Sequence, residues 1–293
     1  EHRIVWGYHH ILLDGWSVPL CLREVFLFYL AALKGQLPEL APVRPYHDYI
    51  GWLGRQDRAA AERHYRTLLA GFSEPTPIPT GAAPASAPNV PQSSRELRLS
   101  ASLTERIQTA ARTHRLTLST VLQGAWALLL HRYSGERTVV FGAVASGRPP
   151  SLPGVDTMLG LFINTVPVRV DFPADAVILP WLEALQADQI AARQFDHTAL
   201  SEIRGYSQVP AGRQLFESIL VVENLPLRDV VQQMSGGMMV RELSHALAST
   251  GYPLAMVAVP GPQLALQIDY DAARFDDSTI ERMLGHYQVL LEG

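Results

Sequence analysis

Apolar runs alternate along this chain with polar, proline- and glycine-rich segments, and the spacing within each run predicts its element. Ile4 to Tyr8 (IVWGY) is apolar and β-prone, which predicts a buried strand. VPLCLREVFLFYLAALKG, Val18 to Gly35, is apolar nearly all round and predicts a well-buried helix that stops at Gly35. Between them Asp14-Gly15 is turn chemistry, because Asp bonds its local backbone and Gly tolerates positive φ. Ser17 stands where it can cap the helix, and Pro19 fits a first helical turn. A further helical stretch runs from about Tyr46 to Leu69.

Six prolines, at 75, 77, 79, 84, 88 and 91, then interrupt the pattern and exclude both helix interior and central strand. The division expected from this connector is 1–75, 76–94 and 95–293. Beyond it, RELRLSASL predicts a strand leading into a helix whose Leu103, Ile107, Ala110 and Ala111 share one face. Leu116 to Gly135 predicts a more buried helix, Thr138 to Ala145 a strand, and Leu159 to Phe172 another. A helix is expected from about Ile178 to Phe195 and a short one over Ala199 to Ser207. Four strand-like runs follow: LFESILVVENLP, MMVRELSHALA, YPLAMVAVP and QLALQIDYD. Ser278-Thr-Ile-Glu281 matches a capping box that opens a final helix to about Leu291. Interleaved strands and helices imply an α/β or α+β class with a mixed sheet.

With 293 residues and 47% hydrophobic content the chain can bury a substantial core. A net charge of −4 without a Lys/Arg cluster speaks against nucleic acid and membrane surfaces as partners. Cys21 is the lone cysteine, so no internal disulfide forms, in keeping with a reducing cytoplasm. No apolar run approaches the ~20 residues of a membrane span. The chain opens on Glu1, already inside a strand-like run, and is expected to be a piece of a longer polypeptide.

The candidate chemistry lies in YHHILLDGWS, Tyr8 to Ser17, where a strand is expected to end and a helix to begin. Three readings stand side by side. A metal site is disfavoured: His9 and His10 would point to opposite sides of an extended backbone, and no second His/Cys cluster completes a ligand set. In a structural reading both histidines are satisfied residues of a strand-end loop. In a catalytic reading one imidazole, titrating near neutrality, serves as general base. The other then faces the core or the lobe behind, and Asp14 bonds either the ring or an arginine. No Gly-x-Ser-x-Gly elbow and no reactive cysteine supplies a covalent nucleophile, so catalysis here would be direct transfer between two bound substrates. No Gly-rich phosphate loop is present either.

HHILLDG resembles the HHxxxDG signature of condensation domains of nonribosomal peptide synthetases, members of the chloramphenicol acetyltransferase-like superfamily. The Trp-Ser that follows resembles the peptide-bond-forming members. YHDYIGWL, LGLFINTVPVR and FDHTALSEI are similar to further family motifs in the family's order, as are the closing segments LFESILVVENLP and YDAARFDDSTIERMLGHYQVLLE. FDHTALSEI departs from the family in its Asp-His pair.

The resemblance implies a two-lobed, V-shaped fold with a tunnel between the lobes, here with most of the first lobe missing. The arginine that pairs with Asp14 is then expected in the absent part. It implies amide formation between two acyl groups tethered to 4'-phosphopantetheine arms, with no cofactor bound by the domain itself. Partners would be donor and acceptor peptidyl carrier domains and a neighbouring adenylation domain. It gives His10 the part of deprotonating or aligning the amine, with His9 and Asp14 structural and Gly15 letting the backbone turn close to substrate. Ser146, Ser17 and Trp16 are expected to line the substrate site, and an alternative view of Ser146 is that it merely forms its turn. Asn164 reads as a structural bridge. Trp16, Trp126 and Trp181 read as core or interface residues. Epimerization and non-catalytic partner recruitment are the alternatives within the same fold.

Overall fold

A computed structural model of the chain describes residues 5–79, 92–223 and 250–293. They fall into two compact units. Among the described residues, the first takes those up to Gln56 together with Ser146–Ile163; the second takes those from Asp57 to Ala145, Asn164 to Glu223 and 250–293. The chain enters the second unit at Asp57, leaves it after Ala145 and returns at Asn164.

The second unit is built on a six-stranded mixed sheet in the order β1-β6-β5-β4-β2-β3. Its strands are β1 (Gln92–Arg98), β2 (Thr138–Ala145), β3 (Asn164–Asp171), β4 (Ser218–Val222), β5 (Leu254–Val259) and β6 (Ala265–Asp271). β4 runs parallel to β2 and β5, and the other neighbours are antiparallel. Helices cover both faces, which is why the central strands read as unbroken apolar runs. Val139 and Phe141 of β2 pack with Trp126, Leu130, Ile280 and Tyr287 from α5 (Leu118–Ser134) and α8 (Asp277–Glu292). Val140, one residue between them, packs on the opposite face with Tyr65 and Leu69 and with Ile203 of α7 (Leu200–Gly205). α4 (Ala101–Thr113) contributes Leu103 and Ile107 to the first face.

Several boundaries differ from the sequence expectation for local reasons. The stretch from Tyr46 to Leu69 is two helices, α2 (His47–Leu53) and α3 (Arg58–Leu68), because Gly54 ends one and the Asp57 carboxylate caps the next at Ala60 N. β1 begins at Gln92, inside the expected connector, as an edge strand paired with Asp271 of β6. Residues 75–79 of that connector are not free of the core: Ile78 is buried, and Thr76 Oγ1 accepts a 2.7 Å hydrogen bond from Val140 N. The final helix is capped by Asp276, whose Oδ1 accepts from Thr279 N, and the Ser278 capping box does not form. α6 (Ile178–Ala192) closes with a 3₁₀ turn at Arg193–Phe195. MMVRELSHALA lies outside the described residues.

Two larger corrections fall in the first unit. Val5 to His9 is irregular and Val5 is 87% exposed, because no described strand pairs with this segment. α1 (Ser17–Leu33) ends as expected, with Gly35 at φ 64° and Gln36 N closing onto Ala31 O. Yet its buried residues are only Ser17 and Pro19, and Val25, Phe28, Tyr29 and Leu33 are exposed. An apolar helix is buried only if a complementary surface meets it, and the described residues supply none for this face. No helix among the described residues is long and apolar enough to cross a membrane.

Candidate functional site

The HHxxxDG turn is held from beneath by a buried ion pair. Asp14 is fully buried, and each of its oxygens is engaged. Oδ1 accepts from Ser17 N at 2.8 Å and Ser17 Oγ at 2.7 Å, so Asp14, and not Ser17, caps α1. Oδ2 accepts from Phe162 N at 3.1 Å, and Arg148 Nη2 lies 3.3 Å from Oδ1. The Asp14 main chain is fixed as well, donating to Gly160 O and accepting from Ser17 N to close a tight turn. Gly15 makes that turn without the left-handed conformation it was expected to supply.

Arg148 is the partner that the resemblance placed elsewhere in the family's chain; it stands in the Ala-Ser-Gly-Arg-Pro segment of this one. Its side chain is 3% exposed, donates to Val155 O and Met158 O, and lies 4.0 Å over the Phe162 ring. Burial draws its pKa down from the ordinary arginine value, and the Asp14 carboxylate opposes the fall. Gly147 makes the approach possible: at φ 63°, a Cβ there would sit 1.7 Å from Phe162 O. Gly160 likewise leaves room for the Tyr46 ring, whose hydroxyl donates to Leu161 O at 2.6 Å. The run expected to be strand from Leu159 therefore becomes β3 only at Asn164, because Gly160 and Phe162 give their main-chain groups to Asp14 and Ser17. Burial pushes the Tyr49 hydroxyl in the adjoining aromatic cluster up to about 12.

Other expected site residues take varied places. His10 is exposed and makes no hydrogen bond among the described residues. His9 is exposed too, not core-facing; its Nδ1 accepts from Ile11 N at 3.1 Å. Ser17, expected to meet substrate, is fully buried, and its hydroxyl is consumed by Asp14, Gly160 and Arg148. Trp16, expected in a core or at substrate, is 37% exposed with Nε1 donating to Asp156 O. Ser146 is exposed immediately after β2. Asn164 bridges, donating from Nδ2 to Asp196 O and Thr198 O at 2.8 and 2.6 Å. Trp126 is fully buried, and Trp181 packs at the edge of the same core.

The arrangement divides the motif chemically. Asp14 has no capacity left to orient an imidazole, and the histidines stand at the surface of a rigid turn. No group of three or more His, Cys, Asp or Glu among the described residues is placed to hold a metal ion. Arg148 is the buried partner of Asp14 that sequence reasoning passed over. Its signal was a buried-type Asp without a cation, and an arginine following a turn glycine.

A family model described as "Condensation domain" matches residues 1–293. A linear gramicidin synthase of Brevibacillus parabrevis is 44% identical over 99% of this chain, which spans 6% of that protein. Chondramide synthase cmdD of Chondromyces crocatus is 42% identical over 100% of the chain and 7% of its own length. Among solved structures, the X-domain from teicoplanin biosynthesis superposes with a TM-score of 0.80 at 23% identity, covering 97% of this chain and 67% of that one. The first condensation domain of the calcium-dependent antibiotic synthetase, in complex with a substrate analogue, gives 0.74 at 17%, covering 97% and 62%. These two likenesses speak to the fold alone. With a mixed sheet, an intact HHxxxDG turn and a family model matched from end to end, the chain belongs to the condensation-domain family of nonribosomal peptide synthetases.

Proposed function

We propose that the chain is part of a peptide-bond-forming condensation domain, and that His10 handles the amine proton. The carrying observation is the division of labour in the motif: Asp14 and Arg148 are buried and paired with one another, whereas the His10 imidazole is exposed and makes no hydrogen bond among the described residues. In this reading the acceptor amine, tethered to one carrier domain, attacks the donor thioester carbonyl on another. The C–N bond forms, the C–S bond breaks, and His10 relays the nitrogen's proton as the thiol leaves. Placed proton transfer contributes roughly 10²–10⁴ in rate, and alignment of the amine adds to it. Ser146, exposed and two residues before Arg148, supplies a hydroxyl on the segment anchored to the same turn. Carrier and adenylation domains as partners, phosphopantetheine-tethered substrates and a cytoplasmic setting follow from the synthetase relatives.

The division of the chain into the end of one lobe, a proline-rich connector and a second lobe belongs to the same proposal. It is supported by the solved neighbours, of which this chain covers 62–67% in the two cases above. A second reading, a partner-recruiting domain, is favoured by the likeness to the X-domain, which was also solved in complex with OxyB. Epimerization through the same histidine is the third.

One experiment separates them. The complete synthetase module that carries this chain is loaded with donor and acceptor substrates, and the products are resolved. A dipeptidyl thioester supports condensation, inverted Cα stereochemistry supports epimerization, and binding without turnover supports recruitment.

A further inference from the structure

Tyr46 stands at the head of α2, where its carbonyl accepts from Tyr49 N at 3.0 Å and Ile50 N at 3.2 Å. Its main chain is thus fixed by the helix, and its side chain reaches the 160–162 segment of the same unit. The ring fills the space where a Cβ on Gly160 would stand and meets the Phe162 ring edge-on at 5.1 Å. The hydroxyl donates to Leu161 O at 2.6 Å. That carbonyl and the Phe162 N–H are the two polar ends of one planar peptide unit. The N–H end donates to Asp14 Oδ2 at 3.1 Å. A run of hydrogen bonds therefore passes from the Tyr46 hydroxyl, through a single peptide plane, into the carboxylate that closes the histidine turn. The turn is tied at both ends: Leu12 N donates to His9 O and Asp14 N to Gly160 O, each at 3.0 Å, with His10 between them.

We propose that Tyr46 is a positioning residue for the reaction at His10: its hydroxyl sets the Leu161–Phe162 peptide plane, and that plane, through Asp14, sets the turn that presents the imidazole. A peptide plane gripped at both ends cannot rotate without breaking one bond, and the two bonds polarise one another through it. The bond at the Asp14 end is charge-assisted, which makes its direction matter more than that of a neutral contact. Burial first, and then the Asp14 carboxylate, raise the Tyr46 hydroxyl above the ordinary tyrosine value against the pull of Arg148, so it remains a proton donor through the neutral range. The second link rests on the reading of His10 as the group that handles the amine proton.

Tyr46→Phe keeps the ring against Gly160 and Phe162 and removes the hydroxyl alone. In the complete module, amide exchange at Phe162 should rise about fivefold, as the loss of one hydrogen bond implies, while α5 and β2 keep wild-type protection. A misplacement of about 1 Å can cost about 10²-fold in rate, and the release of one peptide plane should cost less, about fivefold in the single-turnover rate of dipeptidyl thioester formation. Half-saturation by the acceptor carrier should not move. Added to His10→Ala, the substitution should have no further effect on rate, because Tyr46 acts through that imidazole. Unchanged exchange at Phe162, an unchanged rate, a change in half-saturation alone, or a loss that adds in full to that of His10→Ala overturns the proposal. Wild-type turnover by His10→Ala alone overturns the histidine reading and the proposal with it, whatever Tyr46→Phe does. Should Tyr46→Phe misfold, Tyr46→3-fluorotyrosine in slightly acidic buffer decides: its stronger donor should protect Phe162 N–H beyond the wild type, and no gain there refutes the relay.

Discussion

Asp14→Asn is the sharpest perturbation of the first unit. It keeps the side-chain shape and leaves one oxygen to cap Ser17, but it removes the charge facing Arg148 and turns an NH₂ toward the Phe162 N–H. Breaking a buried ion pair from one side costs about 3–5 kcal/mol, because the remaining charge is left uncompensated. Arg148 would retain the Val155 and Met158 carbonyls, which places the loss near the lower end, at about 3 kcal/mol. Arg148→Met leaves the carboxylate with its Ser17 and Phe162 donors and should cost a similar amount, about 2–3 kcal/mol. If the two groups compensate one another, the double variant is less damaged than the sum, with a coupling energy of about 2 kcal/mol. Urea denaturation followed by the exchange of amides in Asp14–Ser17 and Gly160–Phe162 reads the unit directly. Single effects below about 1 kcal/mol that simply add would refute the buried pair as the support of the turn.

Gly147→Ala forces a Cβ to within 1.7 Å of Phe162 O at a left-handed backbone, and should destabilise the first unit by more than about 2 kcal/mol; protease susceptibility of the 146–163 segment is the readout. Asp276→Ala removes the cap of α8 and should lower the midpoint of denaturant melts, whereas Ser278→Ala should lower it less. His9→Ala removes one exposed ring-to-amide hydrogen bond and should leave product formation within about threefold of wild type in the loaded-module assay.

Much of the architecture was legible from period alone, since β2, α5 and β6 carry patterns that both faces of a covered sheet demand. The motif aspartate was legible too, as a turn residue with a structural task. What escaped depended on partners distant in sequence. Arg148 and Asp14 are 134 residues apart, and the turn aspartate asks for a cation without saying which arginine supplies it. The exposure of α1 escaped because apolar composition states what a helix can bury, not what covers it. The Leu159–Ile163 segment looked like strand because its apolar side chains serve an aromatic cluster while its amides serve Asp14. Asp276 outcompeted Ser278 as a cap by standing one residue ahead of the helix with an extended backbone.

The central claim is that His10 meets the reacting amine while Asp14 and Arg148 only hold it in place. The most direct measurement is the single-turnover rate of dipeptidyl thioester formation by the loaded module carrying His10→Ala, with the fold verified by unchanged amide protection. The account predicts a loss of about tenfold or more; formation at the wild-type rate would contradict it.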